Sequence, residues 1–159
     1  MQTMTSAKSV EEAYLVFQLG TKGPVALPMA SAEEVLTIRA QQVTPMPLMP
    51  AYVLGLFNRR SRVSWVVDLS MLLGFKPLEM NAQQYTIIKI QAEGIPLSLA
   101  VQQVRGVIRL SNEQIQASLG TETPTAELSP YLRGYLPHGE GILTVLDAAA
   151  IVSSPLWNL

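Results

Sequence analysis

The chain holds no cysteine, one histidine and two aspartates. Without thiols it has no disulfide frame, no thiolate nucleophile and no Cys-ligated metal, a composition suited to a reducing cytosol. Charge is sparse too, at 14% of residues against a usual figure of about 25%. The net charge of −1 lacks the basic excess by which nucleic-acid and anionic-membrane proteins neutralise phosphate. The longest uncharged stretch, 40–58 with Arg59 beyond it, would be long enough for a membrane span. Pro45, Pro47 and Pro50 break it, however, and Gln41, Gln42 and Thr44 make it polar. The opening MQTMTSAKSVEE is polar, which argues against a signal segment and predicts a flexible lead over 1–11. These absences predict a soluble, cytoplasmic protein.

Chemistry is scarce as well. Neither GxxxxGKS nor GxGxxG occurs, so nucleotide binding has no motif behind it, and no GxSxG elbow presents a serine. His138 lies in the turn-like LPHGEG, and a Ser-His-Asp triad would have to recruit it with Asp68 or Asp147. Apart from the neighbours Glu11 with Glu12 and Glu33 with Glu34 the acids are scattered, which leaves no metal-ligand cluster. The residues therefore assign no catalytic, cofactor or metal site, and the chain is not read as an enzyme.

What is present is a pattern written twice. YLVFQLGTKG runs from Tyr14 to Gly23 and YTIIKIQAEG from Tyr85 to Gly94, with equal spacing; GLFNRRSRVSWVVDL from Gly55 lies against GYLPHGEGILTVLDA from Gly134, Gly and Asp again at one separation. Chance likeness between strand-rich stretches is the plain alternative, since Gly and Asp are common in turns. Read as a duplication, the pattern gives two β-units, each too small to bury a core alone, inside one compact body of 159 residues that are 48% apolar. High apolar content with little charge fits a chain whose surface is partly covered by other proteins, and equally a β-protein with a large core.

Along the chain, YLVFQL and VALPMA form a hairpin, with Pro28 placing the return strand at an edge. Ser31 and Glu34 stand at capping-box spacing and predict a short helical turn before VLTIRA; Ser111 and Gln114 repeat that spacing. TPMPLMPAY is an extended connector. LFN and VSWVVDL are strands around an exposed turn over 58–62, and Asp68 caps a short helix that Gly74 ends; Asp147 before AAAIVSS repeats the device. From Tyr85 a second unit runs through IIKI, turns near Glu93 and Gly94, and returns through PLSLAVQQV and GVIRL, Pro96 again marking an edge. The fold class predicted is mainly β, barrel-like, with short helices.

The distinctive polar cluster is Arg59, Arg60 and Arg62 beside Asn58. Guanidinium forks match carboxylates and stay charged when partly buried, so the cluster is either a docking point or a solvated hairpin tip.

TPMPLMPAYVLGLFNRRSRVSWVVDLSMLLG, with YLVFQLG near the start, EEVL at Glu33–Leu36 and YLRGYLPHGEGILTVLDAAAIV near the end, resembles the CheW family of chemotaxis adaptors, in that family's order, over 12–152. The resemblance implies two small five-stranded SH3-like barrels on a shared hydrophobic seam, divided near 12–80 and 81–152 with possible strand exchange. It implies a non-enzymatic adaptor that couples the cytoplasmic tip of a methyl-accepting receptor to the regulatory domain of a CheA-like histidine kinase. Carried over residue by residue, Arg60 falls on the family's receptor-linked arginine, Asn58 and Gly55 on turn residues, and Asp68 on the closing aspartate. Glu34 and Val35 fall on a helix facing the groove between barrels, and Val104 and Val107 on its other wall. Where the family's turn reads Asn-Leu-Arg-Gly this chain has Asn58-Arg59-Arg60-Ser61, and Trp65 stands where proline is usual; Ser61 enters positive φ less readily than glycine. Arg59 and Arg62 are then extra docking charge. The competing expectation is a small-ligand sensor gripping an acidic metabolite between the barrels; a hydrolase built on His138 is the third.

Overall fold

The computed structural model describes residues 10–79, 83–92, 94–120 and 122–154; the lead over 1–9 and the turn residue Glu93 lie outside these. In chain order the strands are β1 (Glu12–Leu19), β2 (Gly23–Pro28), β3 (Ala32–Arg39), β4 (Val53–Arg59), β5 (Arg62–Asp68), β6 (Gln84–Ala92), β7 (Ile95–Val101), β8 (Gln103–Leu110), β9 (Leu132–His138) and β10 (Gly141–Leu146). Two short helices, α1 (Leu69–Leu72) and α2 (Ala148–Val152), follow β5 and β10. One sheet runs β8-β1-β2-β10-β9 and the other β3-β6-β7-β5-β4. Sheet membership therefore crosses the duplication. Each repeat gives its first hairpin to one sheet and its last three strands to the other, so a cut between 80 and 81 separates neither barrel.

Register shows how the copies correspond. Trp65 pairs Leu97 in one parallel ladder and Thr144 pairs Val25 in the other. Leu97 in turn faces Ile90, and Val25 faces Phe17. Ile90 is thus the counterpart of Phe17, and Ile87, not Tyr85, is the counterpart of Tyr14. The spacing in the sequence misaligned these strands by two residues. Such a slip keeps every side chain on its own face, so the apolar pattern could not expose it.

Strands β1, β2, β6 and β7 are buried on both faces. Leu15, Phe17, Leu19, Val25 and Leu27 meet Ile88, Ile90, Leu97, Leu99 and Val101 in one shared core, which α1 and α2 cover with Leu69, Leu72, Leu73, Ile151 and Val152. The alternate residues turn into each barrel: Tyr14, Val16 and Ala26 join Leu143 and Val145 in one, while Ile87 and Ala100 join Val66, Phe57 and Ile38 in the other. Double burial explains why these strands read as near-continuous apolar runs. It also shows that β2 and β7 are interior, against the edge positions expected from Pro28 and Pro96. Both prolines sit at strand ends, outside the parallel ladders, where a missing N–H costs nothing.

Each barrel closes through one bridge. Thr44 exchanges backbone hydrogen bonds with Leu56, and Gln116 with Tyr135. Closure brings the incoming strand so near that a Cβ on Gly134 would stand 2.6 Å from the Gln116 carbonyl oxygen, and one on Gly55 would strike that of Thr44. Gly55 is thus a strand residue at a close approach, not a turn residue. The two aspartates cap as expected, Asp68 accepting from the Met71 amide and Asp147 from that of Ala150.

Candidate polar mouth of one barrel

The helix expected from Ser31 and Glu34 is absent: Ser31 ends a 3₁₀ turn and Glu34 with Val35 lies in β3, laddered to β6. One helical turn closes too few bonds to outweigh a ladder of that length. The equivalent spacing is real after β8, where Gln114 Oε1 accepts from the Ser111 amide at 2.9 Å, and also after β3, where Gln42 Oε1 accepts from Arg39 at 2.8 Å. A β-bulge at the start of β3 separates the adjacent acids, and each meets its own cation.

Glu34 shares a face with Leu36 and Ile38, and Arg59 shares one with Phe57, so both point to the end of the β3–β7 barrel. There they form a bidentate fork, Arg59 Nη2 to Glu34 Oε2 at 2.7 Å and Nε to Oε1 at 3.1 Å. The fork holds the Glu34 carboxyl below the usual carboxylate range. It also spans β3 and β4, the two edges of their sheet. Arg59 is thus half-buried in β4, and the exposed turn narrows to Arg60 and Ser61, with φ 53° and 64°. Two left-handed residues are the pattern of a type I′ turn, a geometry that asparagine and glycine normally supply.

The same end holds residues that the sequence reading did not single out. Lys89, 6% exposed, points inward beside Ile87 and pairs with Glu33 at 3.8 Å; Ser64 and Ser98 share a buried hydrogen bond of 2.8 Å. Glu33, Glu34, Arg59, Arg60, Arg62 and Lys89 line a cleft of about 320 Å³. By the register above, Lys89, Ser98, Ser64, Glu34 and Arg59 correspond in the other barrel to Val16, Ala26, Leu143, Gly106 and His138. One barrel is therefore polar at an end where its twin is mostly apolar. The arginine run was the sequence signal for this mouth; Lys89, Ser64 and Ser98 carried none, because the five strands that supply the mouth meet only in the closed barrel.

The remaining site residues lie elsewhere. Asn58 is exposed on β4. Val35 and Val107 occupy equivalent outward positions on β3 and β8, 45% and 53% exposed, whereas Val104, like its counterpart Ala32, packs against the shared core. Apolar side chains fill the seam where a metabolite pocket was expected. His138 is exposed at the end of β9, and among the described residues no three His, Cys, Asp or Glu side chains group as metal ligands.

Paired SH3-like barrels with a charged mouth define a protein built for contact. The CheW-like domain family matches residues 13–156, and the chain belongs to that family of chemotaxis adaptors. It is 31% identical over 115 residues to the probable chemotaxis protein CheW of Rhizobium etli, covering 69% of each chain. To the chemotaxis protein CheW of Treponema pallidum it is 26% identical over 143 residues, covering 88% of this chain and 81% of that one. The fold matches the crystal structure of scaffolding protein TtCheW from Thermoanaerobacter tengcongensis with a TM-score of 0.75 at 19% identity over 94% of both chains.

Proposed function

We propose that this adaptor is non-enzymatic and cytoplasmic, and holds a methyl-accepting receptor tip and the regulatory domain of a CheA-like histidine kinase in one assembly. One observation carries the reading: family membership spans both barrels, yet Lys89, Glu34 and Arg59 gather at the mouth of one where the twin has Val16, Gly106 and His138. A fold used twice with two unlike mouths offers separate surfaces to separate partners.

The receptor surface is the Arg60 turn with the groove bordered by β3 and β8. Ala32 and Val104 anchor those edge strands on the shared core, and Val35 and Val107 stand outward at matched positions, apolar and open to a helical hairpin. The kinase surface is the apolar closing loop before β4, where Met46 is 40% exposed and Leu48 fully exposed at φ 63° among Pro45, Pro47 and Pro50. Among the described residues no helix is long and apolar enough to cross a membrane. Both aspartates are engaged as caps, and the proposed work is geometric: which partners are held together.

Pull-down from the native host tests this. The wild type is expected to bring down a methyl-accepting receptor and a histidine kinase; Arg60→Glu should lose the receptor, keep the kinase and melt at the same temperature. Retention of the receptor by Arg60→Glu would remove Arg60 from the site, and capture of neither partner would refute the adaptor reading.

A further inference from the structure

The cleft at the barrel mouth is built for an acidic side chain. Four cations line it against two carboxylates, an excess of positive charge on a chain whose net charge is −1. The cations are not equal. Arg59 is committed to Glu34 through both nitrogens of its fork. Arg60 and Arg62 are exposed and pair with no carboxylate among the described residues, where each ion pair with Glu33 or Glu34 goes to Lys89 or Arg59. Lys89, 6% exposed, lines the cleft, and among the described residues its one ion pair is with Glu33, at 3.8 Å. A half-satisfied ammonium at the floor of a cationic cleft calls for a further oxyanion.

Resting on the adaptor reading and refining its receptor surface, we propose that this mouth receives a carboxylate side chain from an acidic segment of the partner protein. Lys89 is the deep contact, and Arg60 and Arg62 are the rim. Arg59 is a positioning residue: its fork on Glu34 fixes the β4–β5 turn over β3 and keeps the cleft open. The occupant is a polypeptide because the cleft gathers only four cations on a chain of net charge −1, whereas extended polyanions are bound by proteins with a basic excess.

The test titrates the full chain with the cytoplasmic tip hairpin of a methyl-accepting receptor from the native host, at several salt concentrations. Lys89→Met keeps the buried stem and removes the charge; it should fold normally and weaken binding about tenfold with a flatter salt dependence, as should Arg60→Gln. Lys89→Arg should restore most of the affinity. Glu34→Gln, whose amide oxygen can still accept from Arg59 while a negative charge leaves the mouth, should steepen the salt dependence. Unchanged binding by a folded Lys89→Met, or a flatter salt dependence in Glu34→Gln, would overturn the assignment. Single-stranded DNA bound as tightly as the hairpin would overturn the choice of a polypeptide.

If no receptor hairpin binds the wild type, the adaptor reading fails by itself. The mouth is then judged by NMR with a helical peptide bearing two glutamates one turn apart and its glutamine twin. Shifts of the Lys89 Nζ and Arg60 Nε signals with the first peptide alone support the site. Their absence overturns it.

Discussion

The two helix caps make a controlled comparison inside one molecule. Asp68 and Asp147 are counterparts, each accepting from the amide of the third residue of its helix, yet Asp68 is 1% exposed and Asp147 lies open. Asp68 also accepts from the Leu78 amide at 2.8 Å, which ties down the chain leaving α1; among the described residues the Asp147 side chain accepts from the Ala150 amide alone. Asp147→Ala removes one exposed cap, a loss of about 1 kcal/mol. Asp68→Ala removes a buried cap and a second charge-assisted bond, so a loss of about 2–3 kcal/mol is expected after allowing for relief of the buried carboxylate. That carboxylate carries its own signature. Burial pushes its pKa up, against the lowering pull of the Met71 and Leu78 amides. The folded state then holds the proton at a pH where the unfolded chain has lost it. Asp68's contribution to stability therefore falls as pH rises from the ordinary aspartate value through the raised one. Urea unfolding of wild type, both alanine variants and Asp68→Asn over a pH series reads both effects. Equal losses at the two sites would refute the argument from burial, and so would a wild-type minus Asp68→Asn difference that grows with pH in that window.

Three more expectations follow from the same geometry. Gly134→Ala should cost about 3 kcal/mol or more by chemical denaturation, because the Cβ meets the closing carbonyl, while Gly139→Ala, in open space at φ 59°, should cost about 1 kcal/mol. Ser61→Gly should stabilise by about 1 kcal/mol in the same assay by relieving a left-handed serine; a loss would mean that the turn differs from the one described. Fragments 1–80 and 81–159 should each lack a cooperative melt alone and regain one when mixed, since each supplies a hairpin to one sheet and three strands to the other; an independently folded half would contradict the exchange.

Local chemistry was legible in the chain. Gly55 with Asp68 and Gly134 with Asp147 announced true counterparts, because close approaches and caps admit few residue types. The caps at Asp68, Asp147 and Ser111–Gln114 formed as their spacing implied. The Ser31–Glu34 spacing misled because β3 found a ladder along β6, a partner far off in the chain, and the true equivalent at Arg39–Gln42 hides its cap behind an arginine.

Residue order by itself determined the duplication, the mainly β class, the helix caps and the arginine-bearing hairpin, all of which follow from contacts among near neighbours or from the period of the strands. Tertiary structure alone decided which hairpin entered which sheet, the true register of the two copies, and the gathering of Lys89, Glu34, Arg59, Ser64 and Ser98 at one barrel mouth. Those outcomes depend on pairings between distant segments, where a two-residue slip leaves the apolar pattern intact and only the closed, packed barrels tell the alternatives apart.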